Sequence, residues 1–293
     1  MAANQTLIEG AIRAALKNCK DPYLGTDLLS AQVLKKIEIY NNEISLHLKF
    51  GFPIDEYQSL IKEQIQEAFK PHLDDKKLNI LLDWKVHSHK PQENPQGSIK
   101  SVPGIKNIIA VASGKGGVGK STTAINLALS IALQGARVGI LDADIYGPSL
   151  PMMLGIQEKP EVREDKKLLP IVKYNLQSMS MGYLVGENAP MVWRGPMVSS
   201  ALQQLLFESA WDNLDYLIVD LPPGTGDIQL TLAQKIPVAG AIIVTTPQDI
   251  ALIDAKKAIA MFQKLNVSIL GIVENMSVHI CSNCGHQDPI FWR

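Results

Sequence analysis

Cysteine is scarce in this chain, with three in 293 residues. That excludes a disulfide-stapled secreted scaffold, which needs far denser pairing. Long hydrophobic runs are lacking too. The longest, Val238 to Val244, has seven residues, against the ~20 that span a bilayer. Met1 to Ile8 carries no basic stretch ahead of an apolar run, so no secretory signal is expected. Net charge is small: 28 Lys and Arg stand against 29 Asp and Glu, for a formal charge of -1. No strong overall field would draw the chain onto nucleic acid or an anionic membrane. Apolar residues are plentiful. At 46% hydrophobic and 19% charged, the chain can bury a sizeable core and is not disordered. Its length suggests about two domains. A soluble protein of a reducing compartment, the cytoplasm, is expected.

The first stretch reads as a small α+β unit, residues 1–88. Thr6 with Glu9 forms a capping-box pattern ahead of Leu7, Ile8, Ala11, Ile12, Ala15 and Leu16 at helical spacing. Asp21-Pro22 is expected to end that helix. Ile37 to Tyr40 and Ile44 to Phe50 read as a hairpin, with Ile44, Leu46, Leu48 and Phe50 alternating with polar residues. Ile54 to Phe69 reads as a helix and Leu78 to Val86 as a strand. Residues 89–104, with Pro91, Pro95, Gly97, Pro103 and Gly104, show no periodic apolar face and read as a linker. From 105 to 293, short apolar runs alternate with helical patterns. The runs are Asn107 to Ala112, Arg137 to Leu141, Tyr216 to Val219, Ala241 to Thr245 and Ile269 to Val273. This is the pattern of a mostly parallel sheet with helices on both faces. The stretch from Gly155 to Met191, interrupted by prolines, gives no readable structure.

Gly114-Lys115-Gly116-Gly117-Val118-Gly119-Lys120-Ser121 fits G-x-x-x-x-G-K-[ST], between an expected strand and an expected helix. Glycines let successive backbone N–H groups turn inward around phosphate oxygens, and a helix N-terminus adds its positive end. Lys120 would reach the β- and γ-phosphates of ATP, Ser121 would reach Mg²⁺, and Thr122 would sit near the α-phosphate. A second lysine, Lys115, is not needed for binding. It makes the loop resemble the deviant Walker A class of P-loop NTPases, the SIMIBI-like type. That resemblance implies a lysine that contacts the nucleotide of a partner subunit, hence a homodimer. Asp142-Ala143-Asp144 and Asp220 each end an apolar run, where strand ends face the ligand crevice of an open α/β sheet. Asp220 fits a Walker B carboxylate on Mg²⁺, and Asp144 could orient an attacking water. The Pro222-Pro223-Gly224 turn could place a backbone N–H near the γ-phosphate. Asp227 reads as structural.

Cys281-Ser282-Asn283-Cys284 could be a zinc knuckle, a redox pair or a cluster half-site. His286 could add a third ligand, but nothing supplies a fourth. A [4Fe–4S] cluster takes four thiolates; one chain offers two, and two chains related by a twofold axis offer four. Cys19, on the apolar side of the first helix, is expected in the core.

Further segments narrow the reading: Asp142-Ala143-Asp144-Ile145-Tyr146-Gly147-Pro148-Ser149, Trp193-Arg194-Gly195-Pro196-Met197, Asp220 to Asp227 and Glu274-Asn275-Met276-Ser277. With the phosphate loop and Cys281 to Cys284, they resemble the Mrp/ApbC (Mrp/Nbp-type) iron–sulfur cluster carrier ATPases across Asn107 to Phe291. The resemblance implies ATP binding and hydrolysis, and a dimer-bridging [4Fe–4S] cluster held by Cys281 and Cys284 for transfer to apoproteins. It implies exchange with scaffold proteins and an adenine contact by Asn275. Taken alone, Asn275 reads equally as a turn residue and Arg194 as a surface arginine. Asp21-Pro22-Tyr23-Leu24-Gly25-Thr26-Asp27-Leu28 resembles the opening of the iron–sulfur assembly P domain. The cysteine that domain often carries after its hairpin is replaced here by Phe50-Gly51-Phe52-Pro53-Ile54-Asp55, which points to docking or scaffolding. The family continues past Phe291 where this chain reads Trp292-Arg293, so exposed apolar sheet surface and lower stability are expected. The competing class is a MinD- or ParA-like positioning ATPase. It needs an amphipathic membrane tail or a basic DNA surface; Lys35-Lys36, Lys166-Lys167 and Lys256-Lys257 are only isolated pairs. A nitrogenase-iron-protein-like reductase would place its cysteines far apart in sequence.

Overall fold

A computed structural model of the chain describes residues 2–40, 43–72, 76–88, 101–184 and 195–291. The chain divides into two compact units, residues 1–87 and, for the most part, 88–293.

The first unit runs α1 (Ala2–Asn18), β1 (Leu34–Tyr40), β2 (Glu43–Phe50), α2 (Gln58–Phe69) and β3 (Lys77–Trp84). Helix α1 starts at Ala2, so Thr6 lies inside it and does not cap it. It also stops at Asn18, short of Asp21-Pro22. The Asp21 carboxylate instead closes a local turn, accepting from the N–H groups of Tyr23 and Leu24 at 2.9 and 2.8 Å. Strand β2 is central: antiparallel to β1 and parallel to β3. Its alternation buries Ile44, Leu46, Leu48 and Phe50 to 1% exposure or less, against Ile12, Leu16, Ile61, Ile65 and Phe69 of the two helices. Burying such side chains stabilises by roughly 1.5–3 kcal/mol each. Cys19, one residue past the end of α1, belongs to this core as expected.

The second unit begins earlier than the expected linker end. Val102 is buried in its core and the Gly104 carbonyl accepts from the N–H of Leu214 at 2.6 Å. Of the expected linker, residues 89–100 lie outside the described residues. The elements follow as β4 (Ile105–Ser113), α3 (Lys120–Leu133), β5 (Val138–Asp142), α4 (Leu150–Leu154), β6 (Ile171–Lys173), β7 (Leu176–Ser180) and α5 (Met181–Leu184). Then come α6 (Gly195–Phe207), β8 (Leu214–Asp220), α7 (Asp227–Lys235), β9 (Val238–Thr245), α8 (Asp249–Lys264), β10 (Ile269–Glu274) and a hairpin, β11 (Val278–Ile280) with β12 (Gln287–Pro289).

Seven strands form one sheet in the order β10-β9-β4-β8-β5-β7-β6. All its pairings are parallel except β6 with β7. Apolar helix faces cover both sides. Ala124, Ile125 and Ala128 of α3 pack on one; Leu202, Leu205, Leu232, Ala258 and Phe262 of α6, α7 and α8 pack on the other. This is the expected mixed α/β sheet. The unread middle resolves into the β6–β7 hairpin, whose turn residues Tyr174 and Asn175 have φ of +51° and +60°. Two successive positive φ values are the signature of a tight turn that matches strand twist. Strand β10 is an edge strand, and its Leu270 and Ile272 are exposed.

Candidate functional site

The parallel sheet brings the carboxyl ends of β4, β5, β8, β9 and β10 to one edge, the location where open α/β sheets bind ligands. Ser113, Asp142, Asp220, Thr245 and Glu274 end these strands. The loop Gly114 to Gly119 leaves β4 and delivers Lys120 as the first residue of α3. Gly119 has φ of +83°, and a Cβ there would fall 2.2 Å from the Asn275 amide nitrogen. The positive φ favours glycine, and any side chain there would also push the Asn275 amide off the loop. The Asn275 amide donates to the Val118 carbonyl at 3.0 Å, while its own backbone N–H donates to Thr245 at 2.8 Å. Asn275 thus ties the ends of β9 and β10 to the phosphate loop.

Lys120 is 6% exposed and Asp220 1%. The Lys120 ammonium donates to Asp220 Oδ1 at 2.5 Å and to the Ser121 hydroxyl at 3.3 Å. A buried charge pair this short satisfies two groups that could not otherwise be desolvated cheaply. Strands β5 and β8 run in parallel register with Asp142 opposite Asp220. Asp142 is buried, and three donors converge on it: the N–H groups of Asp144 (3.0 Å) and Leu150 (3.2 Å) and the Ser180 hydroxyl (3.1 Å). It pins both ends of the 143–149 loop to the sheet. Burial, followed by the charge of Asp220, pushes its carboxyl up to about 7 against the pull of those donors. Asp144 is half-buried. Burial raises its carboxyl, while the Lys120 ammonium and the N–H groups of Gly147 and Tyr146 draw it back.

The structure therefore gathers Lys120, Ser121, Asp142, Asp144, Asp220 and Asn275 around one loop. Thr122 is exposed on the first turn of α3. Lys115 donates to Gln248 Oε1 of its own chain at 2.9 Å. Gln248, Ser180 and Gln229 belong to this neighbourhood and escaped the sequence reading, since no short-range spacing marks them. Arg194 and Trp193 lie outside the described residues, as does the Asp227 side chain.

Cys281 and Cys284 sit at the tip of the β11–β12 hairpin. The Cys281 N–H donates to the His286 carbonyl at 2.8 Å and the Gly285 N–H to the Cys281 carbonyl at 2.9 Å. The backbone N–H groups of Cys284 and Asn283 and the Cys284 thiol hold the Cys281 thiol below its ordinary range. A turn that aims amides at sulfur favours the thiolate, the form that ligates metal. Cys284 is exposed and Cys281 partly so. The His286 ring is engaged by Asp288 Oδ1 at 3.0 Å. Among the described residues, no three His, Cys, Asp or Glu side chains are grouped to hold a metal ion. No helix among them is long and apolar enough to cross a membrane.

Residues 104–293 match the NUBPL iron-transfer P-loop NTPase family, and residues 9–80 match a family described as iron-sulfur cluster assembly protein. The iron-sulfur cluster carrier protein of Escherichia coli is 49% identical over 291 residues, 99% of this chain and 78% of its own length. The mouse iron-sulfur cluster transfer protein NUBPL is 54% identical over 194 residues, covering 66% of this chain and 61% of its own. Among solved structures, a nucleotide-binding protein from Archaeoglobus fulgidus in complex with ADP superposes with a TM-score of 0.57 at 41% identity, covering 64% of this chain and 74% of its own. The match over residues 104–293 and the identity to the carrier relatives show that the chain belongs to the NUBPL iron-transfer P-loop NTPase family.

Proposed function

We propose that the chain is an ATP-binding and ATP-hydrolysing carrier that takes a [4Fe–4S] cluster as cargo and delivers it to apoproteins. The observation that carries this reading is the pairing of a complete phosphate loop with a two-thiol turn on the same compact unit. The names of its relatives support it, as does the ADP bound by the Archaeoglobus neighbour.

The phosphate-loop amides and Lys120 would bind the nucleotide phosphates. Lys120 must then leave Asp220, and its long flexible stem allows that move. Asp220, released from the lysine, and the Ser121 hydroxyl present the oxygen donors that suit Mg²⁺. The metal, when bound, would neutralise charge developing on the phosphates. Asp144, beside Lys120 and partly open to solvent, would orient an attacking water. The Asn275 amide carbonyl would accept from the adenine amine. Lys115 would exchange Gln248 for the nucleotide of a second copy.

The thiol count supports an assembly of two copies. Each chain offers Cys281 and Cys284, and the cluster calls for four thiolates. Two copies related by a twofold axis supply them. An exposed hairpin tip suits release of cargo to a partner protein, and three free cysteines suit a reducing compartment such as the cytoplasm. The first unit would serve docking to scaffold or recipient proteins.

Anaerobic reconstitution with iron and sulfide, followed by iron, sulfide, zinc and molar-mass measurements, tests this. About two irons per chain in a dimer is the expected result. Cys281→Ser should lose the cluster and keep nucleotide binding. Zinc without sulfide, or undiminished iron in Cys281→Ser, would sink the assignment.

A further inference from the structure

Three polar groups of the nucleotide site already have partners inside the chain. Lys120 holds Asp220, Lys115 holds Gln248, and the Gly224 N–H donates to the Ser113 carbonyl at 3.0 Å. The last bond ties the 221–226 loop to the end of β4, just ahead of the phosphate loop. Gly224 has φ of +100°. The N–H that could meet a γ-phosphate is thus engaged elsewhere.

Gln229 lies behind this loop in the first turn of α7 and is 1% exposed. Its amide N–H donates to the Pro222 carbonyl. Its Oε1 is buried and, among the described residues, has no hydrogen-bond partner. Buried amide oxygens are normally satisfied, and one left without a donor goes uncompensated for its lost hydration. A side chain fixed through its N–H at one end of a loop, with a spare acceptor beside that loop, suits a loop with two positions. Gly224, Thr225 and Gly226 carry the backbone N–H groups within the same loop. In the position seen here the first of these is committed to Ser113.

We propose that Gln229 is a positioning residue for the Asp220–Gly226 loop. It holds Pro222, and its Oε1 accepts an N–H of the 224–226 turn when a nucleoside triphosphate draws Gly224 away from Ser113. This rests on the nucleotide reading above and deepens it. Only the γ-phosphate competes for Gly224, so a diphosphate leaves the loop where it is. Gln229 touches no nucleotide; it acts through Pro222 and Gly224.

Gln229→Met keeps side-chain length and removes both donor and acceptor. Affinities for Mg·ADP and for Mg with a non-hydrolysable ATP analogue should be measured beside kcat and KM. The variant should bind ADP within about twofold of wild type, bind the analogue about tenfold more weakly, and raise KM for ATP by a similar factor with kcat changed much less. Deuterium exchange of residues 221–232 in the wild-type chain needs no variant to fold; it should change with the analogue and not with ADP. An analogue-to-ADP affinity ratio equal to wild type, or exchange identical with the two nucleotides, overturns the role of Gln229. A wild-type chain that binds nucleotide without hydrolysing ATP removes hydrolysis from the proposed function, and the affinity ratio still decides Gln229. A wild-type chain that binds neither nucleotide overturns both.

Discussion

The phosphate loop and the cysteine hairpin belong to one unit and are built on opposite principles. At the phosphate loop the central charges, Lys120, Asp142 and Asp220, are buried and have partners within the chain. Lys120 has Asp220, Asp142 has three donors, and Asn275 has Val118. At the hairpin the strands β11 and β12 are exposed along their whole length, Cys284 is exposed and Cys281 partly so. An isolated two-stranded hairpin is marginal in water. One region is finished within a single chain, and its ligand has to displace what is there. The other offers two thiols with no further ligand grouped beside them among the described residues.

The largest effect is expected from breaking the finished region. Lys120→Ala removes the group that meets the phosphates and strands the Asp220 carboxylate, which is 1% exposed. Nucleotide affinity should fall at least ~100-fold, and the folded state should lose about 3–5 kcal/mol, the cost of orphaning a buried charge. Iron and sulfide content after reconstitution should persist wherever the variant is folded. Loss of iron in step with nucleotide binding would show that the two regions are not independent.

A smaller effect lies at Asp142. Its carboxyl sits at about 7 in the native state, against about 3.9 when unfolded. Between those values the native chain holds a proton that the unfolded chain has lost. The contribution to stability is therefore full below about pH 4 and declines towards pH 7, by at most about 1.4 kcal/mol per pH unit. Asp142→Asn removes this slope. Its melting temperature relative to wild type should rise between about pH 5 and pH 7.5. A pH-independent difference would mean that the three donors keep Asp142 ionised throughout.

The smallest expected effect sharpens the contrast from the hairpin side. Burial pushes the Cys19 thiol up, while turn amides hold Cys281 down. Iodoacetamide at neutral pH should modify Cys281 at least about tenfold faster than Cys19, as followed by peptide mass spectrometry. Equal rates would mean that the turn does not act on the sulfur.

Much of the finished region was legible in the sequence because its chemistry is local. Lys120 and Ser121 are spaced within one loop, and Asp142, Asp144 and Asp220 follow directly on apolar runs. The residues that hold them were not legible. Ser180 and Gln248 reach their partners through sheet topology, Gln229 reaches Pro222 across a loop of irregular shape, and their own surroundings in the chain are unremarkable. The early end of α1 and the β6–β7 hairpin were hidden for a different reason. Asp21 closes its own turn with backbone N–H groups, and Tyr174-Asn175 makes a tight turn with no glycine to announce it. At the hairpin the spacing of Cys281 and Cys284 was plain, but the ligand it serves was open until the family resemblance entered.

The turn around Cys281 carries a last implication. The N–H groups that lower its thiol belong to the backbone of Asn283 and Cys284, and the turn is closed through Gly285, with φ of +72°. Nothing in that arrangement depends on the side chains of Ser282 or Asn283. Substitutions at those two positions should leave the acidity of the sulfur unchanged.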